Sequence, residues 1–531
     1  MKQTLLSLLI ALLPLVAQAE TVEIDGIYYN LVKKVKTAEV TSRPSGKYTG
    51  VIEIPDSVEY EGETYEVTII SPYAFSGCIG LTNVTIHSSV TSIGGYAFMD
   101  CNKLMSVIIP NSVASIGGGA FSGCSGLKEV HITDLGKWCQ IRFENGGANP
   151  LSYAHHLYVN GKEIKDLVIP SSITSIGESA FLCCSGLTSA TIPNSVTSIG
   201  ERAFGGCSGL TSITIPNSVT NIGSYAFEGC SGLTSITIPN SVTNIGSYAF
   251  QDCSGITSIT IPNSLTYLNY CVFKDCIGLT NITFGSSLKT IGNVAFENCS
   301  SLMRVILPNT LNEVGRSAFS GCTKLTSIYI PSSVTKIEDS SFANCPELTD
   351  VYCEIKTPLF SHHPQIYNQY YDNYIKTNAF DNSLIEYATL HVPAEACDSY
   401  KDKAPWSSFG TIVAIDGDVP GIDTPENPKC ATPTIAYKNG KLTFSCATEG
   451  VEYVSEVTVA DAKKYYTGEV NLGTTYKVSV VAMKTGYENS DAATMEINVG
   501  GSDGGPLGDL NGDGKVDATD ITRLVNIVLK R

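Results

Sequence analysis

The residues with the clearest chemistry lie near the C-terminus, in a twelve-residue loop that runs from Asp509 to Asp520. Side-chain oxygens occupy loop positions 1, 3, 5, 9 and 12, position 7 offers a backbone carbonyl, and Gly514 at position 6 permits a sharp turn. Because Ca2+ prefers about six to eight oxygen ligands in a flexible ring, the loop predicts Ca2+ as a cofactor, the alternative being a solvated Asp- and Gly-rich tail. The predicted ligands are Asp509, Asn511, Asp513, Lys515 through its carbonyl, Asp517 and Asp520.

A helix should follow this loop, because Ile521, Leu524, Val525 and Val528 fall on one stripe. Position 12 is Asp rather than the Glu of ordinary EF-hands, and the run GDLNGDGKVD is similar to the dockerin repeat. That resemblance implies that segment 507–531 docks onto a cohesin-like partner, with Ala518 and Thr519 at the two positions that commonly meet it. A full dockerin has two such segments and this sequence shows one, so an anchoring or sorting tail, or pairing with a second molecule, remains an alternative.

Two other groups of side chains could contact a partner. Trp138, His155 and His156 lie in an insertion at about 134–165, and Tyr367, Tyr370, Tyr371 and Tyr374 lie in a second, shorter one. Neighbouring residues on a strand point to opposite faces, so the adjacent His residues do not favour a metal site. Insertions of this kind often carry recognition, and clustered Tyr offers contact area at low entropic cost. The alternatives are a loop closing over an edge and a cap over the last repeats.

Catalysis has little support in the sequence. The motif H-E-x-x-H does not occur, and the Asp and Glu residues of the repeats are scattered at non-equivalent positions. We therefore predict that the protein is not an enzyme. The net charge of −17 disfavours nucleic acid, and no apolar stretch long enough for a membrane span follows the N-terminal region.

A repeated sequence unit accounts for most of the chain and determines where its residues lie. Two units, LTSITIPNSVTNIGSYAFEGCSG from Leu210 and LTSITIPNSVTNIGSYAFQDCSG from Leu233, are almost identical. A fixed period predicts a solenoid whose neighbouring units stack, with Ile213 and Ile215 on the buried side of a short strand and Gly223 at a turn. The repeated phenylalanine falls at 75, 98, 121, 181, 204, 227, 250, 273, 296, 319 and 342, in steps of 23 except for one step of 60, and again at 380.

Most cysteines follow the same period. Eleven of the 18 lie three residues after a repeat phenylalanine. Stacked equivalents point the same way, whereas a disulfide requires converging Cβ atoms, so we predict a buried ladder of free thiols. Cys430 and Cys446 are better candidates for a disulfide.

The repeat is similar to the leucine-rich repeats of the BspA-like surface proteins, L-x-x-[IV]-x-I-P-x-S-[VL]-x-x-I-G-x-x-A-F-x-x-C, over about residues 50–413. The resemblance implies an α/β-type solenoid with a parallel β ladder, secretion, and adhesive binding to host proteins or other cells. It carries no catalytic residues.

The remaining segments give the domain organisation. Residues 1–19 have a basic start, an apolar run and an A-x-A site, so we predict a signal peptide and a secreted, extracellular or cell-surface protein. Alternation around Tyr476 predicts a small fibronectin-III or immunoglobulin-like sandwich. The other predicted segments are an N-terminal cap (20–65), the solenoid (66–413) with its C-terminal cap (about 380–413), a linker (414–429), the sandwich (430–499) and a second linker (500–506).

The outward strand positions are mostly Ser and Thr, as at Ser212 and Thr214, which suits hydrogen bonding to a polypeptide or glycan and equally suits solubility. The leading hypothesis is a secreted adhesion or recognition protein whose solenoid binds a protein or glycan and whose calcium-binding tail attaches it. Alternatives are a non-catalytic structural or carbohydrate-associated component of a cohesin–dockerin-type assembly and, with less support, a glycan hydrolase.

Overall fold

The structure is a computed structural model that describes residues 20–359, 379–415, 432–438, 441–445, 452–459, 474–483 and 493–499. The chain divides into two compact units, Met1–Ile415 and Asp416–Arg531. Several predicted features lie outside the described residues. They are the signal peptide, the linker 414–429 beyond residue 415, Cys430, Cys446, the linker 500–506 and the segment 507–531.

Each regular turn of the solenoid contains two short strands. In the turn that begins at Leu210, the first strand is Ser212–Thr214 and the second is Asn221–Ile222. Ile213 points inward and Ser212 and Thr214 point outward, as the two-residue period of a strand requires. Pro216 cannot donate to a ladder, and the chain turns between the two strands.

Equivalent strands of successive turns pair in parallel and form two ladders. The first ladder, built from the strands that follow the repeat leucine, runs in segments: Thr49–Ile54, Gly80–Ile86, Ser106–Ile108, Glu129–Ile132, Leu157–Val159 with the hairpin strand Lys162–Glu163; Asp166–Val168, Ser189–Thr191, Ser212–Thr214; Ser258–Thr260, Asn281–Thr283; and Arg304–Ile306, Ser327–Ile330, Asp350–Cys353, Thr389–Val392, Thr411–Ala414. The second ladder is also segmented: Glu63–Ile70, Ser92–Ile93, Ser115–Ile116, Arg142–Phe143; Ser175–Ile176, Ser198–Ile199, Asn221–Ile222, Asn244–Ile245; and Tyr267–Leu268, Thr290–Ile291, Glu313–Val314, Lys336–Ile337.

The α/β character that we predicted is not found in the regular turns that the structure describes, and this part of the prediction is wrong. Between the second strand and the next leucine, the chain forms tight turns with left-handed residues such as Tyr225 and Gly229 (φ 58° and 68°), which a helix cannot contain. The described α-helices are Leu135–Trp138, Leu151–Ala154 and Cys397–Lys401, and the 3-10 helices are Gly146–Ala148, Ile385–Tyr387, Ala394–Ala396 and Trp406–Ser408.

Phenylalanine rings stack along the core. Phe204, Phe227 and Phe250 are fully buried, with centroids 5.5 and 5.3 Å apart and nearly parallel planes. This spacing is close to the separation of paired strands, so each turn places one ring on the ring of its neighbour. The stack continues on both sides of the insertion, from Phe75 to Phe121 and from Phe181 to Phe380.

The cysteine ladder is confirmed for the described residues, in which every cysteine is a free thiol. The Cys230 Sγ–H donates to the carbonyl of Phe204 at 3.2 Å, and Cys253 does the same to Phe227 at 3.1 Å. Burial raises the pKa of the Cys230 thiol to about 12. Each thiol is thus a small group in the core that also donates a hydrogen bond to a backbone carbonyl of the preceding turn.

Both ends of this unit are closed by further structure. At the N-terminal end the strands Glu20–Ile24, Ile27–Val32 and Thr37–Thr41 form an antiparallel meander, and Ser57–Tyr60 forms a hairpin with Glu63–Ile70. At the C-terminal end the buried Trp406 indole donates to the carbonyl of Leu359 at 2.8 Å.

The described part of the second unit contains two antiparallel sheets. Thr434–Lys438 pairs with Lys441–Ser445, and Glu452–Val459, Thr474–Met483 and Ala493–Val499 form a three-stranded sheet. The predicted fibronectin-III or immunoglobulin-like topology stays a prediction.

Candidate partner-binding surface

The outward side of the first ladder, which we name the ladder face, is a regular surface that follows the solenoid. Parallel register places Ser212 on Ser189 and Thr214 on Thr191, and it aligns Thr260 with Thr283 in the next segment. Each strand therefore adds one residue to each of two rows that follow the ladder. In the middle turns both rows are exposed and carry hydroxyl groups.

Hydroxyl groups elsewhere in the repeat are used inside the fold. The Ser218 Oγ–H donates to the carbonyl of Val196 at 2.6 Å, and the Thr211 hydroxyl donates to the carbonyl of Thr188 at 3.0 Å. In contrast, the hydroxyls of Ser212 and Thr214 make no hydrogen bond to any other described residue. Ser189 on the neighbouring strand donates to Asp166 Oδ1 at 2.7 Å, so the hydroxyls that are free for a partner are those of the middle turns, such as Ser212 and Thr214.

A group of larger side chains ends the hydroxyl rows near the insertion. The His131 Nε2–H donates to Glu129 Oε2 at 2.9 Å, and the His131 ring stacks on Tyr158 of the next strand with centroids 4.7 Å apart. Burial, together with Glu129 and Glu163, raises the pKa of Tyr158. We name Glu129, His131 and Tyr158 the first station.

A carboxylate, a histidine and a tyrosine meet again toward the C-terminal end of the ladder. The His391 Nε2–H donates to Asp350 Oδ1 at 3.0 Å, and the His391 ring stacks on Tyr352 at 4.2 Å. Burial and Asp350 raise the pKa of Tyr352, while Arg304 opposes the rise. Asp350, Tyr352 and His391 form the second station. The sequence alone does not reveal that Asp350 and His391 meet, because they are 41 positions apart in the chain.

Tyr329, which the strand pattern places on the ladder face, is buried. Burial and a hydrogen bond with Glu354 raise the pKa of its phenol. The outward rows are therefore not open throughout, and the second station begins at the following strand.

The insertion at 134–165 forms an irregular turn of the solenoid. Its strands Arg142–Phe143 and Leu157–Val159 extend the second and first ladders, and the carbonyl of Gly147 accepts from the N–H of Phe121 at 3.0 Å. The insertion therefore continues the series of stacked solenoid turns and does not project from the solenoid.

Trp138 is not available to a partner, and its predicted contact role is wrong. The side chain is buried, and its indole Nε1–H donates to the carbonyl of Ala180 at 2.8 Å. In regular turns the equivalent alanine carbonyl accepts a hydrogen bond from the backbone N–H of the phenylalanine in the preceding turn, as that of Ala226 does from Phe204 at 2.8 Å. At Ala180, which follows the insertion, the Trp138 indole N–H takes the role of that backbone N–H.

The two insertion histidines are exposed but tied to the fold. The His155 Nδ1–H donates to the carbonyl of Cys183 at 2.9 Å, and His156 Nδ1 lies 2.7 Å from Glu163 Oε1. Both precede the strand Leu157–Val159, so the strand argument used for them does not apply. Their role in partner binding stays a prediction.

The other predicted site residues lie outside the described part of the chain: Tyr367, Tyr370, Tyr371, Tyr374, Asp509, Asn511, Asp513, Lys515, Asp517, Ala518, Thr519 and Asp520. Among the described residues no group of three His, Cys, Asp or Glu side chains could hold a metal ion. Within the same ranges no helix is long and apolar enough to cross a membrane.

The fold and its repeat define a leucine-rich repeat solenoid. A profile described as "BspA type Leucine rich repeat region (6 copies)" matches residues 57–145, 154–280 and 271–386, more than half of the chain. The chain therefore belongs to the BspA-type leucine-rich repeat family. No match was found among curated proteins.

Several solved structures are similar to this chain. A leucine-rich repeat protein from Bacteroides ovatus is 29% identical, over 68% of this chain and 99% of its own, with a TM-score of 0.42. A leucine-rich cell surface protein from Faecalibacterium prausnitzii is 24% identical, over 75% and 95%, with a TM-score of 0.45. The pneumococcal vaccine antigen PcpA is 18% identical, over 76% and 99%, with a TM-score of 0.44.

Proposed function

We propose that this protein is a secreted or cell-surface recognition protein whose ladder face binds a protein or glycan partner. The observation that carries the proposal is the contrast among hydroxyls: those of Thr211 and Ser218 are bonded within the fold, whereas those of Ser212 and Thr214 are not. Membership of the BspA-type family supports the same assignment. The predicted signal peptide at 1–19 supports export.

The two stations favour a polypeptide over a glycan. Sugars bind best to an open aromatic face, and in each station one of the two ring faces is already used, that of Tyr158 by His131 and that of Tyr352 by His391, which reduces the area for stacking on a sugar. The rings instead offer hydrogen-bonding edges beside a carboxylate. The stations are separated by several strands at about 4.8 Å each, on the order of 40 Å in all. An extended or folded protein could span this distance.

Binding of the chain from Glu20 onward to an array of matrix proteins, mucins and glycans, measured by surface plasmon resonance, tests the proposal. The substitutions Thr214→Arg and Thr260→Arg place long charged side chains on the ladder face and should abolish binding. The control pair Asn221→Arg and Asn244→Arg adds the same side chains to adjacent strands of the second ladder, where it also removes the hydrogen bond between the two asparagines, and should leave binding intact. Equal loss in both pairs, or no binding to any class, would reject the ladder face as the site.

Attachment through the C-terminal tail is a separate part of the proposal. Asp509, Asp513 and Asp520 would supply charged oxygen ligands to Ca2+, which would order the loop before the predicted helix. Calorimetry of the chain with Ca2+ should show heat that the Asp513→Ala variant lacks. Absence of heat from the unaltered chain would remove the calcium site and leave the ladder face unaffected.

A further inference from the structure

A second surface lies at the turn that precedes the buried phenylalanines, away from the ladder face. Tyr225 and Tyr248 occupy equivalent positions there, and their rings stack with centroids 4.5 Å apart and planes 5° apart. Their backbone N–H groups donate to the next turn, to Ser247 and Tyr270, at 3.0 Å each. With Tyr270 these residues form what we name the tyrosine row. Their positions are fixed by the ladder before any partner arrives.

Both ends of the stacked pair are covered. The guanidinium of Arg202 lies over the ring of Tyr225 at 4.2 Å, and Tyr270 meets Tyr248 edge-on at 5.2 Å. No open aromatic face remains on these two rings for a sugar. What the row presents is a line of phenol groups, of which that of Tyr248 is hydrogen-bonded to the side chains of Tyr270 and Cys271, and Tyr270 is 43% exposed.

The charges around the row are not balanced. Arg202 pairs with Glu201, and Lys274 pairs with Glu297. The backbone of Glu228 bonds to Gly206 and Tyr225, but its carboxylate has no ion pair or hydrogen bond with any other described residue. Burial raises the pKa of the Glu228 carboxyl, with Asp252 adding to the rise and Arg202 opposing it.

The carboxylate of Asp252 also lacks a cationic partner. Its carboxylate accepts a hydrogen bond from the Gln251 side chain at 3.0 Å, and it has no ion pair with any cation of the described residues. Two carboxylates therefore lie between the Arg202 and Lys274 ion pairs without a cation of their own. Each would gain from a positive charge brought from outside.

The sequence keeps one such carboxylate in each of these two turns. The units 210–232 and 233–255 differ only where Glu228-Gly229 is replaced by Gln251-Asp252. The acidic group moves by one position, but each turn retains one beside its tyrosine. A partner with positive charges spaced along an extended chain would match this arrangement.

We propose that the tyrosine row, with Glu228 and Asp252, binds a cationic polypeptide segment rich in Lys or Arg. The ammonium or guanidinium groups would pair with the two carboxylates and donate to the phenol oxygens of Tyr225 and Tyr248. A resident metal ion is disfavoured, since the described residues bring no three acidic, His or Cys groups together. This site is separate from the ladder face and does not rest on its function.

The experiment measures fluorescence anisotropy of a labelled oligolysine peptide of about nine residues with the full chain, at low and at moderate salt. The unaltered protein should bind, and binding should weaken as salt rises. The pair Glu228→Gln and Asp252→Asn should weaken binding at low salt by about fivefold or more. Tyr225→Phe removes a phenol that has no hydrogen bond to any other described residue and keeps the ring stack, so it should weaken binding by about twofold with an unchanged melting temperature.

A matched control removes the same charge from the C-terminal end of the unit. Glu386 and Asp402 are exposed, and the pair Glu386→Gln and Asp402→Asn should leave the affinity unchanged. Equal weakening by both charge-removing pairs would show that the peptide senses only the net charge of −17 and would overturn the proposal. Failure of the unaltered chain to bind the peptide would overturn it as well.

Discussion

Replacing Gly223 by alanine should force two neighbouring turns apart. Gly223 follows the strand Asn221–Ile222, and its N–H donates to the carbonyl of Ile199 in the preceding turn at 2.8 Å. A Cβ atom at this position would lie 2.6 Å from the backbone nitrogen of Glu201. Backbone atoms cannot rotate away as a side chain can. To reach an ordinary contact of 3.4 Å, the turns must separate locally by about 0.8 Å.

The cost has two parts. A separation of that size stretches the Gly223–Ile199 hydrogen bond beyond bonding distance, which costs about 1 kcal/mol. Overpacking a well-filled site costs about 1–3 kcal/mol more, giving about 2–4 kcal/mol in all. The chain contains a natural example in Asn269, which stands where the turns on either side have Gly246 and Gly292. Its side-chain amide donates to the carbonyl of Ile245 at 2.5 Å, and the second ladder is interrupted there.

Urea denaturation followed by circular dichroism measures this cost, with the midpoints compared at equal slope. The control is Gly95→Ala, because a Cβ at Gly95 meets nothing closer than the carbonyl oxygen of Gly118 at 3.3 Å. We expect the control to lose less than about 1 kcal/mol. If Gly223→Ala costs no more than Gly95→Ala, close contact between turns is not what requires glycine at this position.

Three further changes test other contacts. Asn269→Gly should let the second ladder close, slowing amide hydrogen exchange around Tyr267–Leu268. Trp138→Phe keeps an aromatic but smaller side chain and removes the donor to Ala180, so the free energy of unfolding should fall by at least about 1–3 kcal/mol, with Trp138→Tyr as a second variant. Because burial raises the pKa of Cys230 to about 12 while an unfolded thiol titrates near about 8.5, stability should be constant below that pH and fall by up to about 1.4 kcal/mol per pH unit above it. Cys230→Ala should show a shallower fall between about pH 9 and 11, and an identical pH profile would contradict the assignment.

The regular turns could be predicted because their residues repeat. A phenylalanine or cysteine that returns at one spacing must meet its own equivalent, so ring stacking and unpaired thiols follow from the period alone. The outward hydroxyls of Ser212 and Thr214 follow from strand alternation in the same way.

The irregular parts could not be predicted, for a related reason. Trp138 lies in a segment without a repeat, and its value as a donor depends on Ala180, 42 residues away. The pairing of Asp350 with His391 depends on the strand register across the second insertion. Tyr329 has the position of an exposed residue, but its surroundings bury it. In each case a contact distant in sequence decides the role of the side chain.

The near identity of units 210–232 and 233–255 has a genetic consequence. DNA that encodes two such units is a substrate for unequal recombination, which can add or delete one copy. Because equivalent turns pair with their neighbours in the same way, such an event would lengthen or shorten the solenoid without changing its ends. Lineages of this gene could therefore vary in the length of the exposed surface in increments of one turn, while the terminal regions stay constant.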